Sequence, residues 1–318
     1  MQEVTIVIPN YNGKALLKNC IDTLKKQTYK NFKVLVIDNG STDGSIDLNV
    51  EGLDYEFIAL DTNTGFCKAV NLGVEMTRTE YVILLNNDTE VEERFVETLL
   101  NGIKSSEKIF SCGAQMLDYK NHDIVDNAGD LYTAFGWALA RGKGKSAVKY
   151  AQEKAVFSCC AGAAIYRMAV IRKIGMLDEH HFAYLEDVDL GYRARVHGYQ
   201  NRYLPDAKVY HVGSATTGSR YNEKKVYLAA RNSMYVIYKN MPFLQIVINL
   251  PLILFGILVK GLFFAKKGFG KKYLSGIRDG IKQCNDCKKV RFQVKNFIFY
   301  VRIQLELWIN IVRVLVGA

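Results

Sequence analysis

The sequence predicts an α/β fold: a Rossmann-like, mostly parallel central sheet with helices on both faces, followed by a helical, membrane-associating appendage. Three observations predict it. Short, continuously apolar strands alternate with amphipathic helical segments in the first third of the 318 residues. Polar turns carrying Asn, Asp and Gly follow those strands directly. Basic and apolar residues concentrate together in the last third.

Val4-Thr5-Ile6-Val7-Ile8-Pro9 reads as a buried strand ended by proline, and Lys14 to Gln27 has helical spacing at Leu16, Leu17, Cys20, Ile21 and Leu24. Lys33 to Asp38 is a second apolar strand with a carboxylate at its C-terminal end, followed by the turn Asn39 to Gly44. A strand over Tyr55 to Leu60, a helix over Cys67 to Thr77 and a strand over Glu80 to Leu85 continue the alternation. Strands that are apolar throughout, separated by helices, imply a parallel sheet covered on both faces. In such sheets the ligand site lies off the carboxyl ends of the strands, which makes neighbours of Pro9 to Asn12, Asp38 to Gly40 and Asn86-Asn87-Asp88.

A helix over Glu92 to Ser105 and a strand over Ile109 to Leu117 follow. The next forty or so residues, with Gly129, Gly136, Gly142 and Gly144, read as loops and hairpins. Phe157 to Tyr166 is strand-like, and the small residues Cys159 to Ala164 at its centre suggest backbone running close to a ligand. Phe182 to Gly198 then places Glu186, Asp187 and Asp189 at the start of a helix and Arg193, Arg195 and His197 in its later turns, the polarity a helix dipole favours. A carboxylate there is either a charge complement to the dipole or a base facing a cleft. A short strand ending at Tyr203-Leu204-Pro205 and then His211-Val212-Gly213 complete this part.

The boundary is predicted near Ser214, dividing residues 1–215 from a basic, apolar helical region over 216–318. Residues 216–318 hold 18 Lys and Arg against 4 Asp and Glu, whereas residues 1–215 hold 24 against 28. All the excess base of the net +10 therefore sits beside Leu, Ile, Val and Phe, a combination suited to an anionic membrane surface. The region lacks a zinc-finger, RRM or basic-zipper pattern, so nucleic acid is not the expected partner. A helix is predicted over Asn222 to Lys239. Met241 to Ala265 is strongly apolar but interrupted by Gln245, Asn249, Pro251, Gly256, Lys260 and Gly261, whereas a spanning helix wants about 20 predominantly apolar residues. Helices lying in the interface, including Asn296 to Val316, are the favoured reading over a span or a soluble helical subdomain.

A content of 49% hydrophobic and 23% charged residues belongs to an ordered globular chain. Seven Cys without framework spacing suit a reducing compartment. The single CxxC at Cys284 and Cys287 has no second pair and no nearby His in sequence, which argues against zinc there. The first residues run straight into a strand rather than a basic and then apolar leader, so secretion is not expected.

Asn86-Asn87-Asp88 puts a carboxylate at the mouth of the sheet. A hard divalent cation bound to a diphosphate needs only one or two protein oxygens, a role Asp88 fits, as it also fits an ordinary turn. Gly65 before a helix would expose backbone N–H groups to a phosphate or simply make a turn. The loop from Gly213 to Ser219 would close over a donor or serve as a linker.

Taken together, Pro9-Asn10-Tyr11-Asn12-Gly13, Asp38 to Ser45, Asn63-Thr64-Gly65-Phe66 with Asn71 and Gly73, Asn86-Asn87-Asp88 and Glu186-Asp187-Val188-Asp189 resemble the inverting family 2 glycosyltransferases of GT-A fold. The order and spacing match the rhamnosyltransferase-like branch over about residues 3 to 235. The resemblance implies that Asp38 holds the nucleotide base, with Pro9 and Tyr11 lining the pocket and Gly65, Asn86 and Asn87 also in the nucleotide-sugar site. It makes Asp88 the metal-contacting member of the DxD motif, whose first position here is Asn86, a change that lowers the local negative charge. It places His211 near the metal or diphosphate, Arg231 on the departing diphosphate, Asp187 as catalytic base and Glu186 beside it, contacting the acceptor or orienting the base. His211 as a packed histidine and Arg231 as a surface arginine are the alternatives.

The expected activity is a single displacement that inverts the anomeric carbon, with Mn²⁺ or Mg²⁺ as cofactor and TDP-rhamnose or a UDP-hexose as donor. The expected acceptor is a lipid-linked glycan at the cytoplasmic face of the membrane, in cell-surface polysaccharide synthesis. A nicotinamide dehydrogenase would show GxGxxG where Pro9 to Lys14 stands, and a sugar nucleotidyltransferase a glycine- and arginine-rich phosphate loop. The remaining rival is a catalytically silent, membrane-anchored protein that binds sugar nucleotides or glycans.

Overall fold

The computed structural model describes residues 2–213 and 221–316, so the expected loop from Gly213 to Ser219 and the boundary at Ser214 lie almost wholly outside the described residues. The alternation expected at the start is present as β1 (Val4–Asn10), α1 (Lys14–Leu24), β2 (Phe32–Asp38), β3 (Tyr55–Ala59), α2 (Phe66–Met76) and β4 (Tyr81–Leu85). These four strands are parallel, in the order β4-β1-β2-β3. Period-two alternation sends Val4, Ile6 and Ile8 to one face, with Leu17 and Ile21 of α1, and Val7 to the other, with Val70 of α2. Asn10 is in register with Asp38, so both strands deliver polar side chains to the same edge.

Past β4 the sheet becomes mixed. The elements that follow are β5 (Thr89–Val91), α3 (Phe95–Lys104), β6 (Ile109–Asp118), β7 (Val125–Asn127), β8 (Asp130–Tyr132), β9 (Ala138–Ala140), β10 (Lys154–Val156), β11 (Ala163–Arg167), α4 (Met168–Ile174), α5 (Glu186–Val196) and β12 (Gln200–His211). β11 runs antiparallel between β4 and β6, and β12 pairs parallel with β6 and antiparallel with β5 and β10. The segment from Phe157 is not one strand. Phe157 and Ser158 exchange backbone hydrogen bonds with Asp130, a turn closes between the Cys160 carbonyl and the Ala163 N–H at 3.2 Å, and β11 starts only at Ala163. Nor does the last strand stop at Pro205. It runs on to His211 across a register break between Leu204 and Lys208, where a proline costs no ladder hydrogen bond.

The appendage is helical: α6 (Glu223–Asn240), α7 (Phe243–Lys266), α8 (Gly270–Gln283) and α9 (Phe297–Leu315). A third core joins it to the sheet region, with Tyr132, Phe157, Tyr192 and Val196 packed among Val226, Ile237, Tyr273, Ile303 and Leu307. α7 is unbroken through Pro251 and is long and apolar enough to cross a membrane by length and composition. Its polar interruptions form one stripe that faces inward. Tyr192 donates to Gln245 at 2.8 Å, Asn249 and Gln304 of α9 form a reciprocal amide pair at 2.8 Å in both directions, and Trp308 donates to Asn249 Oδ1 at 3.2 Å. Gly256 permits the closest approach: a Cβ there would stand 2.7 Å from the Phe135 carbonyl. The opposite face leaves Leu244, Val247, Leu254, Phe255, Leu258 and Leu262 exposed, and α9 likewise exposes Ile298, Leu305, Ile309 and Val312.

Candidate active site

The carboxyl ends of β1, β2 and β4 bring three predicted polar groups into one chain of hydrogen bonds. Asn87 Nδ2 donates to Asn10 Oδ1 at 2.6 Å, and Asn10 Nδ2 donates to Asp38 Oδ2 at 2.7 Å. Ser41 adds its N–H to Oδ1 of Asp38 at 2.8 Å and its hydroxyl to Oδ2 at 2.7 Å, leaving the carboxylate 2% exposed. The following loops are stitched together by Asn12, whose Oδ1 accepts the Thr42 N–H at 2.8 Å, and by Asp43, which accepts the Lys14 N–H at 2.8 Å. Pro9 and Tyr11 lie half-buried on this edge.

Gly65 precedes α2 with φ +92°, a conformation that disfavours a side chain, and a Cβ there would meet the Phe182 ring at 2.6 Å. The Phe182 carbonyl accepts the Cys67 N–H at 3.1 Å, so the start of α2 docks onto the loop that precedes α5. That loop is strained: Phe182, Tyr184 and Leu185 all have φ between +63° and +74°, which is costly without glycine and tends to mark functional segments. Asn232 of α6 over-determines its shape, donating through Nδ2 to the carbonyls of His181, Ala183 and Tyr184 at 3.0, 2.8 and 2.8 Å. Arg231 donates to the His180 and His181 carbonyls at 2.8 and 3.0 Å and lies over the rings of Tyr227 and Tyr235.

The three acids of α5 divide. Asp189 is fully buried and neutralised by Arg193 and Lys239, each at 2.9 Å, with Asn240 on its other oxygen at 2.8 Å. Burial opposes that charge, yet Arg193 and Lys239 hold the carboxyl well below its usual range. Asp187 is half-buried and accepts the N–H groups of Val188 at 2.8 Å and Ala161 at 3.4 Å. Glu186 is buried, and its Oε2 has no hydrogen-bond partner among the described residues. Burial raises the Asp187 carboxyl, and burial together with the Asp187 charge raises Glu186 further. A third carboxyl of the group, Asp130, accepts from Asn127 at 2.8 Å and Ser158 at 3.0 Å, and burial followed by the Asp187 charge pushes it up to about 8.

Asp88 and His211 come together because β5 pairs with the end of β12, setting His211 opposite Thr89. His211 Nε2 is 3.3 Å from Asp88 Oδ1, and Nδ1 is 2.9 Å from Asp126 Oδ2. Burial works against a charged imidazolium, but hydrogen bonds that its ring N–H groups donate to the Asp126 and Asp88 carboxylates prevail and push His211 up to about 9. A carboxylate and an imidazole side by side, the ring oriented by a second carboxylate, fit the donor set of a divalent cation. The turn at Ala161 and Gly162 touches both Asp187 and the start of the Asn86-Asn87-Asp88 motif. The Gly162 carbonyl accepts the Asn86 N–H at 2.9 Å, and a Cβ on Gly162 would press on the Asn86 amide at 2.9 Å.

Asp126 and Asp130 were not anticipated. The acids flanking Gly129 in Asp126-Asn127-Ala128-Gly129-Asp130 are the signal that a region read as loops contained.

Against known proteins, the model of glycosyl transferase family 2 matches residues 5–175. The chain belongs to glycosyl transferase family 2. Among its relatives, the N-acetylglucosaminyl-diphospho-decaprenol L-rhamnosyltransferase of Mycobacterium tuberculosis is 24% identical over 257 residues, covering 73% of this chain and 82% of that one. Glycosyltransferase GlyG of Streptococcus pneumoniae is 27% identical over 133 residues, covering 41% of this chain and 42% of that one, so the chain spans less than half the length of that relative. The mannosyltransferase PcManGT from Pyrobaculum calidifontis, solved with GDP-Man and Mn²⁺, superposes with a TM-score of 0.56 at 13% identity, covering 98% of this chain and 86% of that one. The fold is the mixed α/β GT-A type with C-terminal helices, as the motifs implied. The family 2 match ends before α5, so Glu186, Asp187 and His211 lie beyond it.

Proposed function

We propose that the protein is an inverting, cation-dependent glycosyltransferase that moves a sugar from a nucleoside-diphosphate donor to a glycan acceptor in cell-surface polysaccharide synthesis. One observation carries the reading: Asp187, without a cationic partner among the described residues, is held by the same Ala161-Gly162 turn that accepts the Asn86 N–H, two residues before the Asp88 that pairs with His211. Asp38, with Pro9 and Tyr11, binds the nucleotide, and Gly65, Asn86, Asn87 and Arg231 complete the donor site. Asp88 and His211 would hold Mn²⁺ or Mg²⁺, which when bound supplies positive charge to the departing diphosphate. Asp187 removes the proton of the acceptor hydroxyl as the new C–O bond forms and the sugar–diphosphate bond breaks on the opposite side. Glu186 orients the acceptor. Its raised pKa suits a protonated donor to an acceptor oxygen while Asp187 carries the negative charge.

TDP-rhamnose is the first donor to test and a UDP-hexose the second, and a polyprenyl-diphosphate-linked glycan is the acceptor class, which the rhamnosyltransferase relative supports. The outward apolar faces of α7 and α9, with Lys266, Lys267, Lys271 and Lys272 beside them, support a peripheral position on the cytoplasmic leaflet, with residues 1–215 carrying the proposed base and metal residues and 216–318 supplying Arg231 and the docking face. The deciding experiment measures nucleoside diphosphate release by the full chain across donors and lipid-linked acceptors, with and without Mn²⁺. Metal-dependent release upholds the proposal. Tight donor binding without turnover across the panel would instead identify a silent sugar-nucleotide-binding protein.

A further inference from the structure

The CxxC of the appendage does have partners, though none is close in sequence. One oxygen of Asp178, one ring nitrogen of His180 and the Sγ of Cys287 all lie within 4.8 Å of one another. His180 Nδ1 is 2.8 Å from Asp178 Oδ1. Cys287 is buried and closes a single turn on Cys284, whose carbonyl accepts its N–H at 3.1 Å. We propose that Asp178, His180 and Cys287, joined by Cys284 through rotation of its side chain, form a structural zinc-type site that fastens the appendage to the loop leading into α5.

The donor chemistry selects this class of metal. Thiolate with imidazole favours zinc over the hard Mg²⁺ and Mn²⁺, and two cysteines separated by two residues are a recurring half of tetrahedral zinc sites. Ligands around such an ion stand roughly 3.5 Å apart, so the present cluster needs an inward movement of about 1 Å, within the reach of side-chain rotation. Charge selects the fourth ligand. Asp178 is already balanced, since its Oδ2 accepts from Lys239 Nζ at 2.7 Å. A divalent ion would therefore leave a surplus positive charge with one thiolate and none with two, which brings in Cys284. Lys239 also bridges to Asp189 at 2.9 Å, so it would act as the outer partner that aims the Asp178 carboxylate. The role is structural because the loop from Asp178 to His181 runs directly into the strained residues before Glu186.

The test uses the full chain expressed with zinc, dialysed into metal-free buffer and analysed for metal. Wild type should retain close to one zinc per chain, and replacing the zinc with Co²⁺ should produce the thiolate-to-cobalt charge-transfer absorption. Cys287→Ser should abolish that absorption, the Cys284→Ser and His180→Ala variants should weaken zinc retention by about tenfold or more, and Asp88→Ala should leave the absorption intact. His180 is exposed, so its variant remains informative if the buried cysteine variant fails to fold. Folded wild type that retains no zinc and gives no cobalt–thiolate absorption overturns the site. So does absorption that persists in a Cys284→Ser, Cys287→Ser double variant.

Discussion

The N–H of Ala161 points at Oδ2 of Asp187 over 3.4 Å, and the next residue, Gly162, accepts the N–H of Asn86 through its carbonyl at 2.9 Å. A single turn therefore spaces the carboxylate of α5 from the motif that carries Asp88. Enlarging Gly162 should push on Asn86, and Gly162→Ala is expected to weaken donor binding more than global stability. Calorimetric titration with donor beside thermal melts checks this.

Asp187→Asn should retain donor binding and lose transfer by about 10²-fold or more, the usual scale for a general base. Because burial raises the Asp187 carboxyl, the acid limb of the wild-type rate profile should lie above the ordinary carboxylate range, with activity falling as pH drops through it. A profile flat down to the pKa of a free aspartate, or near-normal turnover in the variant, contradicts the assignment.

Asp126 touches no proposed substrate but holds the outer nitrogen of His211. Asp126→Asn should reduce apparent Mn²⁺ affinity by about 10- to 100-fold, with kcat at saturating metal changed much less. Asp88→Ala should weaken metal-dependent donor binding outright. Metal titrations of initial rate distinguish the two behaviours.

Asp130 gives a stability signature whose sign can be worked out. Its folded-state pKa of about 8 lies above the value of a free aspartate, so the folded protein binds the extra proton and its contribution to stability is lost as pH rises toward 8. Asp130→Asn removes the ionisation, and its melting temperature relative to wild type should climb between about pH 4 and about pH 8, a window bounded by the free and folded values. A constant difference across that window would mean that Asp130 is already ionised in the fold.

Deleting residues 241–318 is a poor test of membrane binding, because Ile303 and Leu307 share a core with Tyr132 and Tyr192. Charged substitutions on the outward stripe avoid this. Leu254→Glu with Leu258→Glu should leave the melting temperature nearly unchanged and lower partition onto anionic vesicles by about tenfold or more, since each side chain buries roughly 2 kcal/mol of apolar surface. Equal partition would count against docking through α7.

The early strands and helices were legible because apolar runs and turn residues act locally: Val4 to Asn10 and Phe32 to Asp38 announce themselves. The antiparallel insertion of β11 was not, since strand direction depends on what lies between distant segments. Pro205 read as a terminator because a proline is compatible with a strand only at an edge or a bulge, and the bulge is set by pairing with β6. At the site, Asn10, Asp38, Asp88 and Asp187 stood out by type and position. Asp126 and Asp130 did not, because their meaning comes from His211 and Asp187, many residues away. Gln245 and Asn249 looked like flaws in an apolar helix and are its attachment points.

Asn232 belongs to α6 by chain order, yet it braces the backbone that presents Asp187. A chimera joined at residue 215 would thus import a foreign brace for the loop that leads into Asp187 and leave that loop slack. A splice after Asn240 would carry the native brace along, so exchanging the helices that follow α6 between relatives is best attempted there.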